Sequence, residues 1–349
     1  MKLLTPLTSL AVLSLATAVA LTGCAPTTST LPEEKPGSLT GTEITVYNGQ
    51  HEELTEEWAD AFTKETGVKV VLRNANESEL ANQLVQEGAA SPADVFLTEN
   101  SPAMALVENA GLFAAVDADT LDLVPAQFRP STGAWTGIAA RSTVFVYNPS
   151  LIAADDLPKS LLDLAGEKWQ GRWAASPGGA DFQAIVSAML ELKGPDSTLE
   201  WLEGMKRNFS AYKGNNTVMK AVNAGEIPSG VIYHYYWFRD QADTKENSSN
   251  TKLYYFKKQD PGAFVSVSGG GVLASSKHQA AAQEFLKFIV GKAGQEILRD
   301  GTSFEYPVAS DVAANPALPA LDTLDAPAID PSKLNSPQVI DLMTRAGVI

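Results

Sequence analysis

The chain has 349 residues, 44% of them hydrophobic and 19% charged, enough apolar material for about two globular domains. Its 26 lysines and arginines stand against 41 aspartates and glutamates, a net charge of -15 that excludes a nucleic-acid surface, because phosphate binding needs a basic face. Such an acidic chain suits solubility or a positively charged ligand.

The N-terminus, MKLLTPLTSLAVLSLATAVALTGC, sets Lys2 ahead of an apolar run from Leu7 to Leu21. That is the layout of a secretory signal peptide over residues 1–23. Bounded by Pro6 and Thr22, the run falls short of the ~20 apolar residues that spanning a membrane asks for. Leu21-Thr22-Gly23-Cys24 resembles the lipobox of bacterial lipoproteins, and Cys24, the sole cysteine, has no internal disulfide partner. Lipidation of Cys24 would account for a lone exported thiol and hold the protein on the outer leaflet of the cell membrane, or facing the periplasm. After Cys24 the chain continues to residue 42 as APTTSTLPEEKPGSLTGT, rich in Pro, Thr, Ser and Gly without apolar periodicity, and residues 24–42 read as a flexible tether.

From Glu43 the pattern becomes regular. Ile44-Thr45-Val46-Tyr47 predicts a strand, and Leu54, Trp58, Ala61 and Phe62 recur at helical spacing until Gly67. VKVVL from Val68 predicts a second strand, followed by a Ser78-led helix ending at Gly88. Asp94 to Leu97 is a third strand, and Met104 and Val107 belong to the helix after it. This order is the signature of a parallel α/β sheet with right-handed crossovers. A second α/β stretch starts at Thr143 and runs through a Trp173 strand, helices over Ile185 to Leu192 and Leu199 to Met205, a helix from Thr217 to Ala224, and a strand Gly230 to Tyr233. Strands KLYYF from Lys252 and AFVSVS from Ala263 follow, then one long helix ending near Leu298. The expectation is two lobes about a cleft, residues 43–141 plus about 267–320 and about 142–266 plus 321–349.

In an open parallel sheet, ligands bind beyond the carboxyl ends of strands. His51, in VYNGQHEE, follows the first strand and Glu99, in PADVFLTEN, the third, so an imidazole and a carboxylate would share one rim. Each residue also has a local reading, His51 as a capping histidine and Glu99 as an acid favoured by a helix dipole. In VIYHYYWFRD, Tyr235 and Tyr236 lie at or past a strand end, and both phenols can reach one point if the strand runs into a helix there. A buried aromatic strand end is the alternative. Imidazole nitrogen, carboxylate and two phenol oxygens suit a hard cation, and a trivalent one such as ferric iron would hold as phenolates tyrosines whose free pKa is near ~10.

The segments VYNGQHEELTEEWADAFTKETGVKV, SPADVFLTEN, YYW and QDPGAFVSVSGG resemble the ferric-ion-binding periplasmic proteins of bacterial ABC importers, in order from about Ile44 to the C-terminus. The resemblance implies a type 2 periplasmic-binding-protein fold, with two hinged α/β lobes around a central cleft. It also implies a ferric-ion ligand set of His51, Glu99, Tyr235 and Tyr236, completed by water or an anion such as carbonate or phosphate. The family's anion site maps onto Gly179 and Ala180 in SPGGADFQ, which carries one extra residue, and onto Asn215 in GNNTV. Arg141, in AARSTVFVY, maps onto an arginine that pairs with the anion or forms an interlobe salt bridge. Where relatives carry asparagines this chain has Tyr233, which adds a phenol or fills the space, and His234, which supports a ligand or is a satisfied, partly buried histidine. The implied partners are an ABC permease and its ATPase, with the protein acting as a monomer.

A receptor for an organic or oxyanion ligand on the same fold is the competing reading, with YHYYWF supplying stacking. The chain offers no nucleophile elbow, no HExxH and no close acid pair, and its histidines beyond His51 are His234 and His278, so an exported hydrolase is disfavoured.

Overall fold

The computed structural model describes residues 39–349. The expected signal peptide, Cys24 and the tether up to residue 38 lie outside the described residues. The end of the tether is hydrogen-bonded to the body: Gly41 N–H donates to Gly67 O (3.1 Å) and Lys69 N–H to Thr42 O (2.8 Å).

The first elements follow their apolar periods. They are β1 (Glu43–Gly49), α1 (Glu52–Thr66), β2 (Lys69–Asn74), α2 (Glu77–Glu87), β3 (Val95–Thr98), α3 (Ser101–Asn109) and the short α4 (Ala118–Leu121). Helix α1 buries Leu54, Trp58 and Phe62, and Gly67 closes it in the left-handed region (φ 76°), where glycine carries no steric penalty. Helix α2 starts earlier than its Ser78 suggests, because the Asn76 side chain is the cap and accepts from the Ser78 and Glu79 N–H groups.

The second stretch comprises β4 (Thr136–Tyr147), β5 (Trp173–Ala175), α5 (Ala180–Asn208), β6 (Phe209–Ala211), α6 (Asn215–Ala224), β7 (Ser229–Tyr233), α7 (His234–Ala242), β8 (Lys252–Tyr254) and β9 (Val265–Val272). Helices α8 (Gln279–Val290), α9 (Lys292–Asp300) and α10 (Ser336–Arg345) close the chain. Two expectations change here. Strand β4 begins at Thr136 rather than Thr143, and all twelve residues are buried. The long helix expected to reach Leu298 breaks at Gly291 (φ -74°, ψ 169°). The break fits the close packing beyond it: a Cβ on Gly294 would lie 2.4 Å from Phe288 O, and Gly294 O accepts from Trp58 Nε1 at 2.8 Å. Helix α5 is divided at Gly194 (φ 79°, ψ 171°), where the sequence predicts two helices.

The strands lie in the order β2-β1-β3-β9-β4-β7-β5-β6, with β8 also on β4. Strands β2, β1 and β3 are mutually parallel, as are β6, β5 and β7, but β9 runs antiparallel to both β3 and β4, so the sheet is mixed. The buried side chains form four clusters among the described residues, and the two largest are the main cores. Ile44, Val46, Trp58, Phe62, Phe285 and Leu286 belong to one, and Phe145, Trp173, Trp201, Leu202 and Phe256 to the other. Each such side chain contributes about 1.5–3 kcal/mol by leaving water. Strand β4 feeds both, with Ile138 to Ala140 in the first core and Phe145 and Tyr147 in the second.

Candidate functional site

Parallel pairing aligns the ends of β1 and β3, with Gly49 opposite Thr98. The two residues that follow these ends, His51 and Glu99, meet with Nδ1 and Oε1 3.2 Å apart. From the second core, β7 stays extended through Tyr233 (φ -89°, ψ 150°) and the chain turns helical at His234. Tyr235 and Tyr236 therefore sit in the first turn of α7. A continued strand would send them to opposite faces, whereas here their rings stack at 4.1 Å and Tyr235 meets the His51 ring edge-on at 5.1 Å. A cavity of about 500 Å³ lies alongside, lined in part by His51, Glu99, Gly179, Ala180, Asp181, Asn215 and Tyr236.

Sequence reasoning missed Asp181, the second residue of α5. Its Oδ2 accepts from Asn215 Nδ2 (2.7 Å) and from the Tyr236 hydroxyl (3.0 Å). Gly179 and Gly214, which precede α5 and α6, leave both helix starts without a side-chain cap, the setting expected of an anion nest. The acidic group beside that setting is the chain's own Asp181, whose pKa burial and Glu99 raise. The one signal for it in the sequence is the extra residue in SPGGADFQ.

Arg141 is wholly buried in β4. Its Nη1 donates to Glu99 Oε2 (3.0 Å) and its Nη2 to Ser268 Oγ (2.9 Å) and to Glu305, while Asp181 Oδ1 lies 3.9 Å from Nη1. Both terminal nitrogens are thus engaged by groups of the chain itself. Burial works against the guanidinium charge, but Glu305 and Glu99 outweigh it and hold the pKa well above the usual arginine value. Glu305 is also wholly buried, and its Oε1 lies 4.0 Å from His51 Nε2. It stands in the loop before Tyr306, with nothing local in SFEYP to mark it.

Burial lowers the His51 pKa to about 4, with Glu305 opposing, so the imidazole is neutral at neutral pH. Burial also raises Tyr235 and Tyr236, helped by Asp181 and Glu99, and both remain protonated phenols. The Tyr235 hydroxyl, His51 Nε2 and Glu305 Oε2 are buried without a hydrogen bond of ordinary geometry, although the Tyr235 and Tyr236 hydroxyls are close. Among the described residues no group of three or more His, Cys, Asp or Glu side chains is arranged to hold a metal ion. The buried imidazole nitrogen, carboxylate and phenol oxygens fit a hard cation of high charge.

Tyr233 and His234 stand apart from the cavity. The Tyr233 hydroxyl lies 3.5 Å from Asn100 Oδ1, and its ring is 5.9 Å from the Arg141 guanidinium. His234 Nδ1 accepts the Ser142 N–H (3.1 Å), and its ring stacks on Tyr306 at 4.8 Å. Burial lowers its pKa to about 3. Trp237 donates from Nε1 to Thr251 Oγ1 (3.0 Å) and packs against the cluster that holds Val218, Met219 and Ile232.

Residues 90–331 match the family described as bacterial extracellular solute-binding protein. The chain is 68% identical over 306 residues to the Fe(3+)-binding periplasmic protein of Serratia marcescens, covering 88% of this chain and 90% of that one. It is 35% identical over 309 residues to the major ferric iron-binding protein of Neisseria meningitidis serogroup B, covering 88% and 93%. Iron-bound HitA from Pseudomonas aeruginosa superposes with a TM-score of 0.82 at 40% identity, covering 88% of this chain and 99% of that one. The α/β, type 2 periplasmic-binding-protein architecture expected from the sequence is the one the chain adopts.

Proposed function

Since the chain belongs to the family of bacterial extracellular solute-binding proteins, we propose that it captures ferric iron outside the cytoplasm and delivers it to an ABC importer, without chemistry of its own. His51 and Glu99 on one wall, and Tyr235 and Tyr236 on the other, are the ligands in this reading. The two buried cores serve as lobes that close on the cargo, with β4 and β9 crossing between them. The observation that carries the proposal is the convergence of a neutral imidazole, a carboxylate and two stacked phenols from the two cores beside one polar cavity.

Ferric iron displaces the phenol protons and supplies the charge that keeps Tyr235 and Tyr236 as phenolates. The Asp181 carboxylate, already held by Asn215, supports a reading in which the chain contributes the negative charge expected of carbonate or phosphate. Delivery to a permease and its ATPase, action as a monomer and anchoring through a lipid on Cys24 belong to the same proposal. Among the described residues no helix is long and apolar enough to cross a membrane.

The test is titration of the metal-free protein with a chelated ferric salt in buffer without phosphate or bicarbonate. A visible phenolate-to-iron band is expected in the wild type and its loss in Tyr235→Phe/Tyr236→Phe, with affinity falling by more than the roughly 100-fold that loss of an outer partner costs. A colourless wild type, or a double variant that keeps the band, sinks the proposal.

A further inference from the structure

We propose that Asn100 is a positioning residue that sets the two walls of the cleft in register, through a clasp running from Glu77 through Asn100 to Asp181. The proposal rests on the ferric reading for the identity of the cargo and on the contacts themselves for the clasp.

Asn100 follows Glu99 and is buried. An asparagine side chain has two N–H donors and a carbonyl with two lone pairs. Here Nδ2 donates to Glu77 Oε1 (3.0 Å) and to Asp181 Oδ1 (3.0 Å), and Oδ1 accepts from Ser266 Oγ (3.0 Å) with the Tyr233 hydroxyl at 3.5 Å. Its backbone N–H donates to Glu77 Oε2 at 2.7 Å, so Glu77 grips Asn100 with both oxygens and fixes which way the amide faces. Glu77 is itself pressed onto the end of β1. A Cβ on Gly49 would lie 2.6 Å from Glu77 Cβ, so only glycine admits this contact. At the far end of the clasp, Asp181 holds the Tyr236 hydroxyl.

A continuous path therefore runs from the strand end that carries His51 to the phenol of Tyr236. The chemistry of the link explains the residue type. An amide can donate to two acids at once without charge, whereas an arginine or lysine would compete with a cationic cargo and an ionised aspartate would lose both donors. Through this link the position of Asp181, and with it that of the Tyr236 oxygen, is set by the wall bearing His51 and Glu99.

The experiment compares wild type with Asn100→Ala, Asn100→Asp and Asn100→Ser. Three quantities are read: the wavelength of the phenolate-to-iron band, the rate at which a competing chelator strips iron, and the small-angle X-ray scattering of the metal-free protein. In Asn100→Ala and Asn100→Asp, stripping is expected to quicken by about 10- to 100-fold, the range for losing a hydrogen bond to a charged or outer-partner group. The band shifts, and the metal-free scattering moves to a more open form. Asn100→Ser, whose single donor must choose between the two acids, falls between, and it carries the test if Asn100→Ala fails to fold. A wild-type band, stripping rate and scattering profile in the folded variants overturn the clasp and leave the ferric reading standing. A wild type without the band overturns the ferric reading, and the scattering of the variants then decides the clasp by itself.

Discussion

The two walls of the cleft carry their negative charge in different ways. On the wall of β1 and β3, Glu99 lies against Arg141, which also engages the buried Glu305, so a fixed cation holds the carboxylates together. On the wall of α7, charge is latent beneath the protons of Tyr235 and Tyr236, which burial keeps in place. One wall is neutralised by a guanidinium and the other by protons. In the proposed site an entering cation would share the carboxylates with Arg141 on one side and displace protons on the other, an exchange that favours a highly charged ion.

Removing the fixed cation gives the largest expected effect on this contrast. Arg141→Met should destabilise the metal-free protein by about 3–5 kcal/mol, the cost of leaving a buried pair half-unpaired. The iron-loaded protein should lose less, because the bound ion then faces the same carboxylates. Denaturant unfolding with and without iron checks this, and equal losses in the two states would break the proposed difference between the walls.

Acid probes the other wall. The metal-free protein keeps its phenol protons well past neutrality and the proposed iron complex displaces them, so affinity is expected to fall as pH falls, by about tenfold per pH unit for each proton displaced. Two phenols predict two protons released per iron, measurable by pH-stat titration. His51 adds none near neutrality, since its pKa of about 4 leaves it already neutral. Acid below that value protonates His51 and weakens binding further. The same depression acts on stability: between about pH 6.5 and 4 the unfolded chain takes up a proton at this position that the folded one refuses, so the metal-free protein weakens as pH drops through that window. Release of fewer than two protons would show that a phenol stays off the iron.

The smallest effect sharpens the boundary of the phenol wall. Tyr233→Phe removes only the hydroxyl 3.5 Å from Asn100 Oδ1, and should cost under about 1 kcal/mol with the iron band unmoved. A lost or shifted band would add a third phenol to the site.

The positions of His51, Glu99, Tyr235 and Tyr236 were legible because strand ends are local features, and the strand-to-helix change at His234 is written in six consecutive residues. Asp181 was missed: the extra residue in SPGGADFQ was the only hint, and the role of the carboxyl depends on Asn215 and Tyr236 far along the chain. Glu305 and Asn100 were not legible. A glutamate in a loop and an asparagine before a helix have ordinary local explanations, and their partners come from segments that pattern reading cannot bring together. The start of β4 was missed for a related reason: a strand buried along its whole length shows no alternation to mark where it begins.

Neither core is a continuous stretch of chain, and this bears on how the protein is made. Strand β9 lies between β3 and β4, and the second core is finished by Val339, Leu342 and Met343 of α10. A chain emerging from its N-terminus leaves the edge of β3 unpaired until Val272 has appeared, and the second core unsealed until nearly the last residue. Both cores can therefore be completed only late in synthesis. The exposed β3 edge is then the place where a chaperone, or an aggregating neighbour, would first find it.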